Sequence, residues 1–303
     1  VALITYYLKD TLKTQAELRQ AREKKAEDNP YPSYENLLAE QQEPKPKLLF
    51  TIKDEAGNII RNISTKPQAG LQRLTWDLRY APKNPVNLVP PAYYNPFATP
   101  PAGAMVPPGT YQVAMAKLVD GEVTPLAEPV SFAVKALDNT TLPADDRQEL
   151  VEFQQEVTQL FRAVRGAQES LKEIQNQMKH IEIAIQQVEL PYDKVYTEVQ
   201  EIQQEIATLN RELNADRVAA KLDKGQPPSI ASRISYIVFE QSNTTTQPTQ
   251  THRDSYAIAK EEFRPWLQRL KTLISDKIQP LQEKLEQAGA PYTPYALPVI
   301  SQF

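Results

Sequence analysis

From Leu150 onward the apolar residues recur at intervals of three and four without a slip. They are Leu150, Phe153, Val157, Leu160, Val164, Ala167, Leu171, Ile174, Met178, Ile181, Ile185 and Val188. That spacing holds every apolar side chain on one stripe of a helix and is the heptad pattern of long packed helices. A strand cannot use it, because strand side chains alternate every second residue. The pattern predicts one helix over about residues 144–189, opened by Pro143 with Asp145 and Asp146 and ended by Pro191. Tyr192, Val195, Val199, Ile202, Ile206, Leu209 and Leu213 continue the rule in a second helix. A short helix is expected near residues 230–239, after Pro227 and Pro228. A polar, Thr-rich loop over 242–250 then leads to a last long helix. Tyr256, Phe263, Leu267, Leu270, Ile274, Leu281 and Leu285 mark it, and Gly289 and Pro291 end it. Stripes of this length aggregate unless covered, so residues 138–303 are expected to fold as an antiparallel helix bundle with a C-terminal tail.

The first part of the chain has the other periodicity. Residues 1–8 read VALITYYL, β-branched and aromatic throughout. Residues 48–52, 59–63, 71–78, 111–119 and 130–134 form further short runs, with a possible short strand near Val123. Asp54 to Asn58 read DEAGN, a hairpin turn in which Gly57 is free to take a positive φ. Alternation along 71–78 puts Leu74, Trp76 and Leu78 on the buried face. Short strands separated by Gly and Pro turns indicate an immunoglobulin-like antiparallel β-sandwich over residues 1–137. Residues 9–47 are charged and helix-prone and read as an insertion between two strands. Residues 81–109 form a long loop with nine prolines and three aromatics, Tyr93, Tyr94 and Phe97. A loop of this length in a compact domain is functional or packed on something. The fold class is therefore α+β and multidomain.

Composition removes several functions. Gly is low at 8 residues, which argues against glycine-cradled phosphates, whereas 26 prolines argue for ordered, extended connections. The net charge of −4 with dispersed basic residues does not suit a nucleic-acid partner. Cysteine is absent, which excludes disulfides, thiolate chemistry and Cys-based zinc sites. No apolar run approaches the ~18 residues of a membrane span, and no signal peptide is visible. The sequence starts at Val1 inside a strand-like run, as a fragment of a longer polypeptide would.

A catalytic centre is not legible. The two histidines, His180 and His252, have no second His at ligand spacing and are expected at the surface. Adjacent carboxylates such as Asp145/Asp146 and Glu261/Glu262 point in different directions on a helix, so they serve as helix-end charge and solvated face. There is no G-x-S-x-G elbow and no Gly-rich phosphate loop. No metal or cofactor is expected. Trp76 as a sugar platform would need exposure, and its inward alternation favours the core. Tyr93, Tyr94 and Phe97 are the candidates for partner contact, their alternative role being to cover the end of their own sandwich.

Several short motifs also carry a resemblance. Asp54, Gly57 and Arg61, then Ala69-Gly70, Trp76-Asp77 and VPPGTY over 106–111, resemble the Ig-like domain of the flagellar hook-capping type. The order ITYYLKD (4–10), TWDLRY (75–80), VPPGTYQV (106–113), PPSIASRI (227–234), THRDSYAIAKEEF (251–263) and AGAPYTP (288–294) is similar to the C-terminal region of bacterial sortilin-like β-propeller proteins. These are frequent in Bacteroidota and are labelled glycosyl hydrolases. The resemblance covers nearly the whole chain. It implies upstream propellers carrying S-x-D-x-G-x-x-W motifs, which this chain lacks, so hydrolase activity would belong upstream and no catalytic residue transfers here. It also implies export, to the periplasm, the outer-membrane surface or the medium.

Three functions then compete. The first is a structural and interaction module that packs on the upstream propeller or another subunit, with other cell-envelope proteins or glycans as further partners. The second is an accessory carbohydrate-binding region of a glycoside hydrolase whose active site lies upstream. The third is a rim of that enzyme's cleft. Residues upstream of Val1 would separate them best.

Overall fold

The computed structural model describes residues 1–98, 100–137, 144–242 and 244–296. The fold is α+β, antiparallel strands first and long helices after. The chain divides into two compact units, Val1–Pro82 with Ala102–Thr141, and Lys83–Pro101 with Leu142–Phe303. The middle of the Pro/aromatic loop groups with the second unit. Pro143 and the tail beyond residue 296 lie outside the described residues.

The first unit is a sandwich of two sheets. In the larger, β2 (Lys47–Asp54) lies between β3 (Ile59–Thr65) and β5 (Gly109–Val119). The far edge of β5 is shared. Its first half pairs with β7 (Val130–Val134) and its second half with β6 (Glu122–Pro125). The β2–β3 hairpin turns at Gly57, whose φ of 83° is the left-handed conformation anticipated for it. The smaller sheet has two strands, β1 (Ala2–Leu8) and β4 (Gly70–Trp76), antiparallel from Ala2 opposite Trp76 to Leu8 opposite Gly70. Immunoglobulin sandwiches carry three or four strands per sheet, so this small layer is narrow.

Period-two patterning aims the core. Leu48, Phe50 and Ile52 of β2 point inward and are fully buried. The Tyr6 ring of β1 lies 5.0 Å from Phe50, and its hydroxyl is 3.5 Å from Thr65 Oγ1. Trp76 of β4 meets Tyr111 at 5.5 Å and Phe132 at 6.1 Å, both edge-on, a favourable aromatic geometry. β1 therefore lies over β2 and β3, and β4 over β5 and β7. Trp76 is 1% exposed and its indole N–H donates to Arg79 O at 3.1 Å, so it is a core residue, as its alternation implied.

The insertion between β1 and β2 forms two short helices, α1 (Gln15–Glu23) and α2 (Tyr34–Gln42), capped by Thr14 and Ser33. Neither buries a residue. Arg19 joins them, donating to both Glu40 oxygens at 2.7 and 2.8 Å and to Glu23 at 2.7 Å. That hydrogen bonding is the main reason the Glu40 carboxyl titrates below its usual range.

The second unit is a three-stretch bundle. The long helix α3 (Arg147–Ala184) is capped by Asp146, whose side chain accepts from Gln148 N and Glu149 N. A 3-10 turn over Ile185–Gln187 ends it. The return path is broken into α4 (Tyr192–Asn214), a short α5 (Arg217–Lys221) and α6 (Ile230–Ser242). Gln203 of α4 reaches Glu182 and Asn214 reaches Gln168, while Gln241 of α6 reaches Gln154. Thus α4 covers the C-terminal half of α3, and α6 continues in the same direction over its N-terminal half. The third stretch is α7 (Gln250–Leu273), a π-turn over Ile274–Ile278, and α8 (Gln279–Gln287).

The π-turn has a local cause. Pro280 has no N–H and its ring would meet the carbonyl four residues back, so a regular turn is lost there. Instead Gln279 N donates to Ile274 O, five residues back. One extra residue enters the helix and shifts its face. The cross-helix ion pairs Glu198–Lys284, Glu205–Lys277 and Glu212–Arg269 show the effect. Their α4 members are spaced seven and seven, whereas their partners are spaced seven and eight, the eight spanning the π-turn. The expected stripe named Leu267 and Ile274. The structure buries Trp266, Leu273 and Ile278 instead and leaves Leu267 and Ile274 half-covered at the margin of the core.

Two outcomes are expected for the sandwich. Trp76→Ala should cost roughly 3–5 kcal/mol, read by denaturant titration; a change within about 0.5 kcal/mol would contradict its place in the core. Burial pushes the Tyr111 phenol up to about 12. Its folded value exceeds the unfolded value of about 10. Its contribution is therefore present below pH ~10 and lost as pH rises toward about 12. Alkaline melting should show this loss, and Tyr111→Phe should remove it.

Candidate functional site

The loop that carries Tyr93, Tyr94 and Phe97 has a clamped neck. After β4 the chain turns at Leu78, whose φ is 62°. Val106 N then donates to Leu78 O at 2.9 Å, Tyr80 N to Ala104 O at 3.0 Å and Gly103 N to Tyr80 O at 3.2 Å. The Arg79 guanidinium donates to Gly103 O at 3.1 Å and that of Arg61 to Tyr80 O at 2.9 Å. Gly103 is required here. A Cβ at that position would stand 2.6 Å from Tyr80 O.

Beyond the neck the order is local. Asn87 Oδ1 accepts from Val89 N at 2.9 Å, and Asn95 Oδ1 accepts from Phe97 N at 3.0 Å. These two Asx turns bracket Pro90 and Pro91, whose rings fix φ. The side chains between are bare: Tyr93 is 74% exposed, Tyr94 87% and Phe97 90%. Val86, Leu88 and Val89 are equally open. The sequence contains no Asp, Glu, Lys or Arg from residue 84 to residue 116. An apolar, uncharged strip on a proline-stiffened loop can gain energy on binding chiefly by leaving water.

The histidines divide. His180 is exposed, its Nδ1 2.9 Å from Asn176 O. His252, expected at the surface, is buried. It fills the third position of the capping box of α7: its N–H donates to Thr249 Oγ1 at 3.3 Å, and its Nδ1 accepts from Thr249 N at 3.3 Å. Gln241 Nε2 lies 3.3 Å from the same Nδ1, and Gln154 Nε2 donates to Gln241 O at 3.3 Å. This chain of polar contacts ties α3, α6 and α7 together. Among the described residues no three His, Asp or Glu side chains gather as metal ligands would.

Two further features lie in the helical unit. Tyr192, expected in the apolar stripe of α4, is instead exposed and stacks on Tyr196 at 5.5 Å, because it stands at the first turn of the helix, beyond the buried run that starts at Val195. Arg165 and Arg233 each keep a buried Nε without a hydrogen-bond partner. Among the described residues no helix is long and apolar enough to cross a membrane. Comparisons with protein-family models, curated proteins and solved structures give no match.

Replacing Tyr93, Tyr94 and Phe97 together by Ser should leave the melting temperature unchanged, because exposed positions contribute within about 0.5 kcal/mol each. A fall of several degrees in calorimetry would show that the loop is part of a core.

Proposed function

We propose that this chain is a non-catalytic structural and interaction module from the C-terminal part of a large exported sortilin-like β-propeller protein. It packs on the propeller of the same polypeptide, or on a partner subunit, through the loop that bears Tyr93, Tyr94 and Phe97. The observation that carries the reading is that loop: open aromatic and aliphatic side chains, no charge for more than thirty residues, and prolines that lower the entropy lost on docking. Aromatics at the centre of such a contact typically supply about 2 kcal/mol or more each. The family placement rests on the motif order given above.

The test is cleavage by chymotrypsin, which cuts after Tyr and Phe. The loop should be cut readily in this chain alone and spared in the full-length polypeptide, and the protection should persist at high salt because no charge is involved. Equal cleavage in both would mean that the loop docks on nothing. Saturable binding of a glycan that disappears on substituting the three aromatics would favour the carbohydrate reading.

A further inference from the structure

Each of the three stretches of the bundle carries an interruption, and the three fall at one level. In the return path it is the gap between Asn214, where α4 ends, and Ile230, where α6 begins. Gln241 of α6 meets Gln154 of α3. The two helices run antiparallel at the same rise, so eleven residues back from Gln241 and eleven on from Gln154 bring Ile230 level with Arg165. The start of α6 thus stands beside Gly166. The end of α4 stands there too, since Asn214 bonds to Gln168. In the third stretch Arg269 pairs with Glu212, and the Trp266 indole donates to Leu209 O. Those contacts put Pro265 within a turn of the end of α4.

Packing accounts for neither Gly166 nor Pro265. Gly166 is exposed, and a Cβ added to it would meet nothing within 4 Å. Its effect is to loosen the helix, because Gly leaves the backbone more freedom than Ala does. Pro265 is exposed as well. It has no N–H for the carbonyl of Glu261, and its ring crowds that carbonyl, so the helix is weakened there. The buried Arg165 Nε, which has no hydrogen-bond partner, lies at the same level. On either side the stretches are tied together. Above the level Gln154, Gln241 and His252 form their buried chain, and Arg253 pairs with Glu149 at 2.9 Å. Below it Gln203 bonds to Glu182, and Glu198–Lys284, Glu205–Lys277 and Glu212–Arg269 join α4 to the third stretch. Two tied blocks that meet where every stretch is weak have the build of a hinge.

We propose that the bundle bends at this level. Residues 147–165, α6 and residues 250–264 move as one block against residues 167–214 and 266–287. Gly166 and Pro265 take up the change in backbone angles, and residues 215–229 supply the slack in the return path. The inference rests on the helical unit alone and stands apart from the reading of the Pro/aromatic loop, so either can fail without the other.

The chain has no cysteine, so spin labels can be placed singly. Ser235→Cys in α6 and Thr197→Cys in α4 are exposed positions on either side of the gap, one in each block. Pulsed electron–electron resonance on the full chain should give a broad or double-peaked distance distribution for that pair. Thr197→Cys with Glu173→Cys, both in the second block, should give one narrow peak. Gly166→Ala combined with Pro265→Ala should collapse the first distribution to one narrow peak and leave the second unchanged. A narrow peak across the gap in the native chain, equal breadth within the second block, or breadth that survives both alanines would overturn the proposal. So would a rise in melting temperature from the two alanines with no change in either distribution, because the two residues would then affect stability alone.

Discussion

An apolar stripe must keep facing its partner for the whole length of an element, and in the helical unit that requirement governs the rest. α3 runs for 38 residues, and its partners must follow its stripe along all of them. The return path does so in two pieces, α4 and α6, with residues 215–229 looped out between them. Asp216 and Gln226 close that loop by bonding both ways, side chain of Gln226 to backbone N–H and C=O of Asp216. The third stretch does so by adding a residue at the π-turn. Without that residue, Leu281 and Leu285 would face away from the core that Phe263, Trp266 and Leu270 enter. Trp266 sits near the break in the return path, its indole N–H bonded to Leu209 O at 3.0 Å. The bundle's stripes thus cover one another within one chain.

The periodicities were enough to find nearly every element, because each local pattern agrees with its final environment. The 3,4 repeat marked α3 and α4 closely, since neither helix contains a proline or a phase change. The same repeat found Phe263, Leu270, Leu281 and Leu285, which are buried, but it named Leu267 and Ile274 where Trp266, Leu273 and Ile278 fill the core; the π-turn that sets Ile278 five residues after Leu273 leaves no trace in hydropathy. Pro280 was the available signal. His252 was misread for a related reason. It was judged by the polar loop beside it, but it stands three residues after Thr249, in the slot where a capping box usually has Glu. The exposure of Tyr93, Tyr94 and Phe97 was open from sequence because an aromatic in a loop can close a core or leave it, and only the packed structure decides.

Polar groups are placed where they cost least. The cross-helix ion pairs on α4 are half-exposed, so they set register more than they add stability. The contacts among Gln154, Gln241 and His252 are buried, and there each polar atom meets another. A buried chain of this kind penalises any sliding of α3, α6 and α7, because a shift would leave desolvated groups unpaired. Arg19 plays the same part in the α1–α2 insertion, where no apolar core exists to fix the angle between the helices.

The Pro/aromatic loop owes its shape to the backbone and not to a core. Asn87 and Asn95 each fold the chain back on itself through a side-chain carbonyl, and Pro90 and Pro91 fix φ between them. The chain therefore spends little entropy if the loop is covered, because few backbone angles are left to freeze. What it presents is side-chain surface without charge, so its selectivity for a neighbour would come from shape more than from ion pairs.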